Sequence, residues 1–281
     1  MQISCGKVNL LSFVILLCGD VMIIADDIIL IDGYPYAFIN SIKALVCADF
    51  HLGYEIVLAD EEGYFIPQAQ FDEILGELEK IVKEVKPREL IIVGDLKHKF
   101  GMRTRQETRE VLQILEFINE NFEKGVLVRG NHDNFVRGLF NKYENIDFVE
   151  KMYIRGDYLF THGHLLDDEI VNASKKRIVV MGHEHPALLL YDDVGGKVKI
   201  PAFLYGETNF GNRLLVLPAV SPLMSGIEVN LISQNDFLSP FLRRFSKFEE
   251  FIPYGILRGK EILKFPKLGL WKDLMETTSI R

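Results

Sequence analysis

Leu90-Ile91-Ile92-Val93-Gly94-Asp95 and Val126-Leu127-Val128-Arg129-Gly130-Asn131-His132-Asp133 decide how this chain reads. Each is a short apolar run that stops on a glycine followed by side chains able to bind a cation. Runs of this length read as buried strands. Between them, Thr104 and Glu107 form a capping-box pattern, and Val111, Leu115, Ile118 and Phe122 recur at helical spacing. The unit is therefore strand–helix–strand. Upstream the pattern repeats. Ala44–Ala48 reads as a strand, and Phe71, Ile74, Leu75, Leu78, Ile81, Val82 and Val85 predict a helix between Pro67 and Pro87. Such alternation predicts an α/β fold with at least part of its sheet parallel.

Outward from this centre the text becomes strand-rich. Ile28–Ile31 and Tyr34–Ile39 flank Asp32-Gly33 as a hairpin. Tyr158–Thr161, Ile178–Met181 and Leu214–Leu217 are short strands, and Leu188–Tyr191 turns at Gly195-Gly196 into Lys197–Leu204. Phe241, Phe245, Phe248 and Phe251 share one helical stripe, with Arg243, Arg244 and Lys247 between them. An amphipathic helix packed on the core is the plain reading, and a grip on nucleic acid the alternative.

The 281 residues correspond to one large or two small domains at ~150 residues each, and no Pro/Gly/Ser-rich linker divides them. A composition 48% hydrophobic and 26% charged excludes a disordered, collagen-like or coiled-coil chain. The net charge of -8 gives no global attraction to polyanions, so any phosphate must be held locally. The 3 cysteines cannot build a disulfide framework, which points to a reducing, cytoplasmic setting. Leu10–Cys18 is apolar but shorter than the ~20 residues of a membrane helix. As a signal peptide it has a thin positive flank, Lys7, and Leu17 where a small residue should stand. The expectation is an N-terminal extension over residues 1–21, either an additional strand or helix or a misplaced start with translation beginning at Met22. A single domain then covers 22–281, embellished over 232–281.

Five clusters of metal-capable groups each lie just past the C-terminal end of a predicted strand. Asp49 and His51 follow the first, Asp95 the second, Asn131, His132 and Asp133 the third; His162 and His164 follow Tyr158–Thr161, and His183 and His185 follow Ile178–Met181. With His98 these include all 7 histidines. Taken singly, each cluster reads as turn chemistry. Gathered at the C-terminal edge of a sheet, where ligands bind in open α/β folds, so many buried carboxylates and imidazoles need compensating cations. Carboxylate, amide and imidazole suit Mn, Fe, Zn, Ni or Co, and the number of ligands implies two ions, an arrangement suited to displacement at phosphorus. Cys47, inside a strand, reads as a core residue. Lys97, Arg103, Arg105 and Arg129 are candidate phosphate contacts or, equally, ordinary surface charges.

D-x-H at Asp49/His51, G-D at Gly94/Asp95, G-N-H-D at Gly130–Asp133, His162, and G-H-x-H at Gly182–His185 resemble, in order and spelling, the five motif blocks of the calcineurin-like metallophosphoesterases. The Asp49–Glu55 and Gly94–His98 runs are similar to an archaeal group related to DNA-repair exonuclease subunits. The resemblance implies a four-layer αββα sandwich of two mixed sheets. It implies one metal on Asp49, His51, Asp95 and His185, and a second on Asp95, Asn131, His162 and His183, with Asp95 as the bridge and Mn2+ the leading candidate. His164 competes with His162, which directly ends its strand. His98 stands where many members carry Asp and is a candidate substrate contact or ligand partner, and Asn131, Arg129, Arg103 and His164 are further candidate substrate contacts. A metal-bridging hydroxide would attack phosphorus. His132 would serve the leaving oxygen and Asp133 would orient it. The implied activity is a phosphodiesterase or nuclease that acts without a membrane. The alternatives are a phosphoesterase on nucleotides or cyclic nucleotides, and a metal-binding scaffold for a partner protein. The oligomeric state is not legible.

Overall fold

The computed structural model describes residues 22–25, 27–61, 63, 67–191 and 196–271. The run 1–21 and the turn residue Gly195 lie outside them. Seven strands form the first sheet in chain order: β1 (Met22–Ile23), β2 (Ile28–Leu30), β3 (Ala37–Ile39), β4 (Ala44–Cys47), β5 (Glu89–Val93), β6 (Lys124–Val128) and β7 (Ile146–Val149). The first four are antiparallel, β2 and β3 making the expected hairpin, and β4 to β7 are parallel. Helices α1 (Tyr54–Glu61) and α2 (Gln70–Val85) connect β4 to β5, α3 (Arg105–Asn121) connects β5 to β6, and α4 (Arg137–Phe140) precedes β7.

The second sheet holds β8 (Met152–Arg155), β9 (Tyr158–Thr161), β10 (Ile178–Met181), β11 (Pro186–Tyr191), β12 (Lys197–Glu207), β13 (Arg213–Val216), β14 (Ile227–Glu228), β15 (Ile252–Leu257) and β16 (Glu261–Lys264). Helix α5 (Asp168–Ser174) links β9 to β10, which pair in parallel, as do β10 and β13. Both sheets are mixed.

Period-two alternation explains how they stack. Ala44 and Val46, Ile91 and Val93, and Val126 and Val128 face Tyr158, Phe160, Val180 and Leu215 of the second sheet. The residues between them, Leu45, Cys47, Leu90, Ile92 and Leu127, lie under the helices. Each buried aliphatic or Phe side chain contributes about 1.5–3 kcal/mol, so the strands are held from both faces. Helix α2 turns Phe71, Ile74, Leu78, Ile81 and Val85 inward and ends on Lys86, whose φ of 51° forms a left-handed cap before Pro87. The capping box of α3 forms as read. Thr104 Oγ1 accepts from the Glu107 amide, and Glu107 Oε2 accepts from the Thr104 amide at 2.7 Å. Glu107 Oε1 also accepts from the Lys99 amide, tying the helix to the loop after β5.

Two features differ from the sequence reading. Helix α1 was not expected, because Tyr54–Glu61 has no apolar periodicity to announce it. The Phe241–Phe251 stripe is not one helix. Helix α6 (Pro240–Phe245) starts on the Ser239 cap and ends at Ser246, whose hydroxyl donates to the Leu242 carbonyl. Phe248 then sits in a short 3-10 turn, and Phe251 leads into β15. Phe241, Phe248 and Phe251 are all buried against the outer face of the second sheet. They are core, not a nucleic-acid surface. Among the described residues no helix is long and apolar enough to cross a membrane.

Candidate metal centre

The ends of β4, β5 and β6 meet the ends of β9 and β10 along one edge of the sandwich. Backbone pairing continues past the strands, with the Asp49 amide on Gly94 O and the His51 amide on Asp95 O. There the chain leaves extended geometry. Asp49, His51, Asp95, His183 and His185 all have φ between 45° and 70°. Left-handed Asp and His are tolerated better than bulkier residues, yet such conformations cost ~1–3 kcal/mol each and gather at functional sites. Two glycines make the close approach possible. A Cβ on Gly94, itself at φ +87°, would lie 2.2 Å from the His162 ring, and one on Gly130 would lie 2.1 Å from Asp95 Oδ1.

Two clusters that contain carboxylates result. Asp49, His51, Asp95 and His185 offer ligand atoms within 4.8 Å of one another, and so do Asp95, His162 and His183. Asp95 belongs to both, and a third group within the same distance, His51, His98 and His132, is imidazole alone. His162 Nε2 lies 3.0 Å from Asp49 Oδ1 and 3.4 Å from Asp95 Oδ2, and His185 Nε2 lies 3.3 Å from Asp49 Oδ1. Asn131, on the turn whose next amide donates to Asp95 Oδ1, has its Oδ1 buried with no hydrogen-bond partner. Buried carbonyl oxygens are rarely left so. An amide oxygen, carboxylates and imidazoles make a hard-to-borderline donor set, so these residues fit a dinuclear metal site.

Electrostatics agree. Burial raises the pKa of Asp49, but the imidazoles of His185 and His162 outweigh it and hold the carboxyl far below its usual range. Asp95 is pushed up to about 7, chiefly by burial, with His162 opposing and Asp133 and Asp49 adding. Burial lowers His162, yet the Asp95 and Asp49 carboxylates bring it up to about 9. His183 falls to about 3 through burial and the neighbouring His162. The carboxylates thus keep a proton on His162 that a divalent cation would displace on binding.

The remaining histidines pack around these clusters. His164 Nδ1 is 3.0 Å from His162 Nδ1, the ring nitrogen that faces away from the carboxylates. His98 Nδ1 is 3.2 Å from His51 Nδ1, and its ring lies 4.1 Å from that of Tyr54. The Nδ1 of His132 meets the His98 carbonyl, leaving Nε2 facing Asp95 at 3.9 Å. Asp133 does not orient His132 as expected. Its carboxylate accepts from the amides of Asp95, Leu96 and Gly130, each at 2.8 Å, and so braces two of the site's turns. Lys97 is likewise no phosphate contact. It is fully buried, with its ammonium on the Lys99 and Gly101 carbonyls. Arg129 is held outside the clusters by Glu150 and Asn134. Arg105 opens α3 and is exposed, and Arg103 lies beside a surface cavity with Met102 and Phe135.

Two supporting residues escaped the sequence reading. Glu184, between the two histidines of G-H-x-H, is buried and accepts from the Leu238 and Ser239 amides, fastening that turn to the start of α6. Gln70 donates to the Phe50 and His51 carbonyls from α2. An acidic residue inside a metal motif was a signal that could have been followed; nothing marked Gln70.

The family of calcineurin-like phosphoesterases matches residues 42–210. Among solved structures, the nuclease MPE of Pseudomonas putida superposes with a TM-score of 0.58 at 20% identity, covering 88% of this chain and 99% of that one. A protein of unknown function from Aquifex aeolicus, AQ665, covers 54% of this chain and 81% of its own at 18% identity, with a TM-score of 0.36. The E. coli phosphoesterase Yfce covers 63% and 80% at 15% identity, with a TM-score of 0.32. No curated protein matches the chain in sequence.

Proposed function

The chain belongs to the calcineurin-like phosphoesterase family, and from that premise we propose that it is a dinuclear phosphodiesterase acting on nucleic acid. The observation that carries this reading is Asp95 shared between two ligand clusters, beside the partnerless oxygen of Asn131. Bound there, two divalent cations, Mn2+ foremost on the family resemblance, would supply Lewis acidity and lower the pKa of water.

The chain's own residues do the rest. Asp49, Asp95 and His162 are at most 2% exposed, whereas the side chains of His132 and His185 are 13% exposed. Substrate therefore approaches from the open side that His132 and His185 border. With Nδ1 donating to the His98 carbonyl, His132 turns Nε2 away from that bond, and only in its protonated form, which burial disfavours by lowering its pKa to about 4, would Nε2 donate to the oxygen that leaves phosphorus. That placement disfavours a metal-holding scaffold without catalysis.

Nucleic acid is supported by the Pseudomonas protein named a nuclease and by the resemblance of Asp49–Glu55 and Gly94–His98 to an archaeal group related to repair exonuclease subunits. The net charge of -8 weighs against long tracking along DNA. The test is hydrolysis of bis-p-nitrophenyl phosphate, p-nitrophenyl phosphate, and single- and double-stranded DNA, with Mn2+ against EDTA. Mn2+-dependent cleavage of the diester and of DNA is expected. Cleavage of the diester without DNA would favour a small-molecule substrate, and no hydrolysis of any substrate would end both readings.

A further inference from the structure

Beside His132 the surface changes character. Phe100, Met102 and Phe135 are 58%, 79% and 64% exposed, among the most exposed large apolar side chains of the described residues. The Phe100 ring lies 3.7 Å from that of His132. Met102 and Phe135 line a cavity of about 340 Å3 together with Arg103, Thr108, Arg137 and Gly138. Phe135 also has a φ of 64°, a conformation that costs a bulky residue ~1–3 kcal/mol, and burial returns little of that cost. Nothing in the core explains an aromatic at this position.

Two cations, Arg103 and Arg137, line the same cavity. The Nε of Arg103 donates to Thr108, and Arg137 and Arg129 share the single carboxylate of Glu150, so this corner keeps positive charge on a chain that is acidic overall. Exposed aromatic and thioether surface flanked by guanidinium groups binds the π-face of a base and the phosphate attached to it.

We propose that Phe100, Met102 and Phe135 form a base-stacking platform that holds an unpaired nucleotide next to the scissile phosphate, with Arg103 and Arg137 on its backbone. The platform rests on the nucleic-acid reading of the metal centre and narrows it to unpaired strands. Bases already stacked in a duplex cannot lie on it.

Binding of fluorescent oligonucleotides to the full chain in EDTA tests the platform apart from hydrolysis. Three probes of equal length are compared: oligo(dT), the same backbone with abasic sites, and a duplex. The wild type is expected to bind oligo(dT) roughly 5- to 150-fold more tightly than the abasic strand, the range set by stacking of one base. Phe135→Gly, which also relieves the backbone, and separately Met102→Ala should each remove most of that preference while the abasic strand binds as before. Equal affinity of the wild type for base-bearing and abasic strands would overturn the platform, as would a preference that both variants retain. So would a wild-type dimer that Phe135→Gly dissociates without change in oligonucleotide binding, since the rim would then be a protein contact. A stacking preference in a protein that hydrolyses no phosphodiester with Mn2+ would instead overturn the catalytic reading and leave the platform standing.

Discussion

The two sheets contribute differently to the edge they share. The first delivers both carboxylates of the clusters, Asp49 and Asp95, with the amide of Asn131 and the imidazoles of His51 and His132. The second delivers imidazoles alone, from His162, His164, His183 and His185. Carboxylates are thus fixed on one layer and imidazoles are brought against them from the other. The ligand pairs that cross between layers, His162 and His185 on Asp49, exist only when the sandwich is closed. Metal affinity should therefore report on packing of the sheets as well as on the ligands themselves.

Substitutions can break this division, in descending order of effect. Asp95→Ala removes the one side chain common to both clusters. Metal content measured by mass spectrometry should fall from two equivalents towards none, and diester hydrolysis by at least about 1,000-fold; full metal with intact activity would refute the bridge. His132→Ala should lower turnover by about 100- to 10,000-fold with both ions retained, and loss of metal instead would make His132 a ligand. His98→Ala strips the partner from His51 Nδ1, and loss of such a support costs about 10- to 100-fold in metal affinity or activity. Calorimetry with Mn2+ separates the two.

The smallest effect lies on the far side of the first sheet, in α3. Burial pushes Glu110 up to about 7, with Gln106 pulling it down and Glu55 adding to it. Its folded pKa exceeds the unfolded value of about 4.3, so the fold binds the extra proton. Stability from this group is full below about 4.3 and is lost as pH rises towards 7. Glu110→Gln should stabilise the chain at pH 8 by about 1–3 kcal/mol and hardly at pH 4. Equal melting shifts at both pH values would contradict a carboxyl whose burial outweighs its exposed partner Arg109, the contrast with Asp49.

The strands of the parallel core were legible because Ala44–Cys47, Leu90–Val93 and Val126–Val128 alternate faces while remaining apolar on both. The α3 cap was legible because Thr104 and Glu107 carry their hydrogen bonds in their spacing. The polar residues could be collected at one edge for the same reason: each follows a strand that ends there. What Asp133 and Lys97 touch was not legible, since their partners are backbone groups whose position depends on how the turns close. Asp133 looked like a partner for its neighbour His132 but serves amides 37 and 38 positions away. The left-handed backbone of Asp49, His51, Asp95, His183 and His185 was equally hidden, because none of the five is glycine. Helix α1 carried no periodic stripe to read.

Two cations held jointly by both layers are the centre of the proposed site. Titration of EDTA-stripped protein with Mn2+ in a calorimeter, repeated in buffers of different ionisation enthalpy, tests this most directly. Two equivalents should bind, with net release of protons as His162 gives up the one its carboxylate neighbours hold. Binding of no Mn2+, or of a single equivalent without proton release, would contradict it.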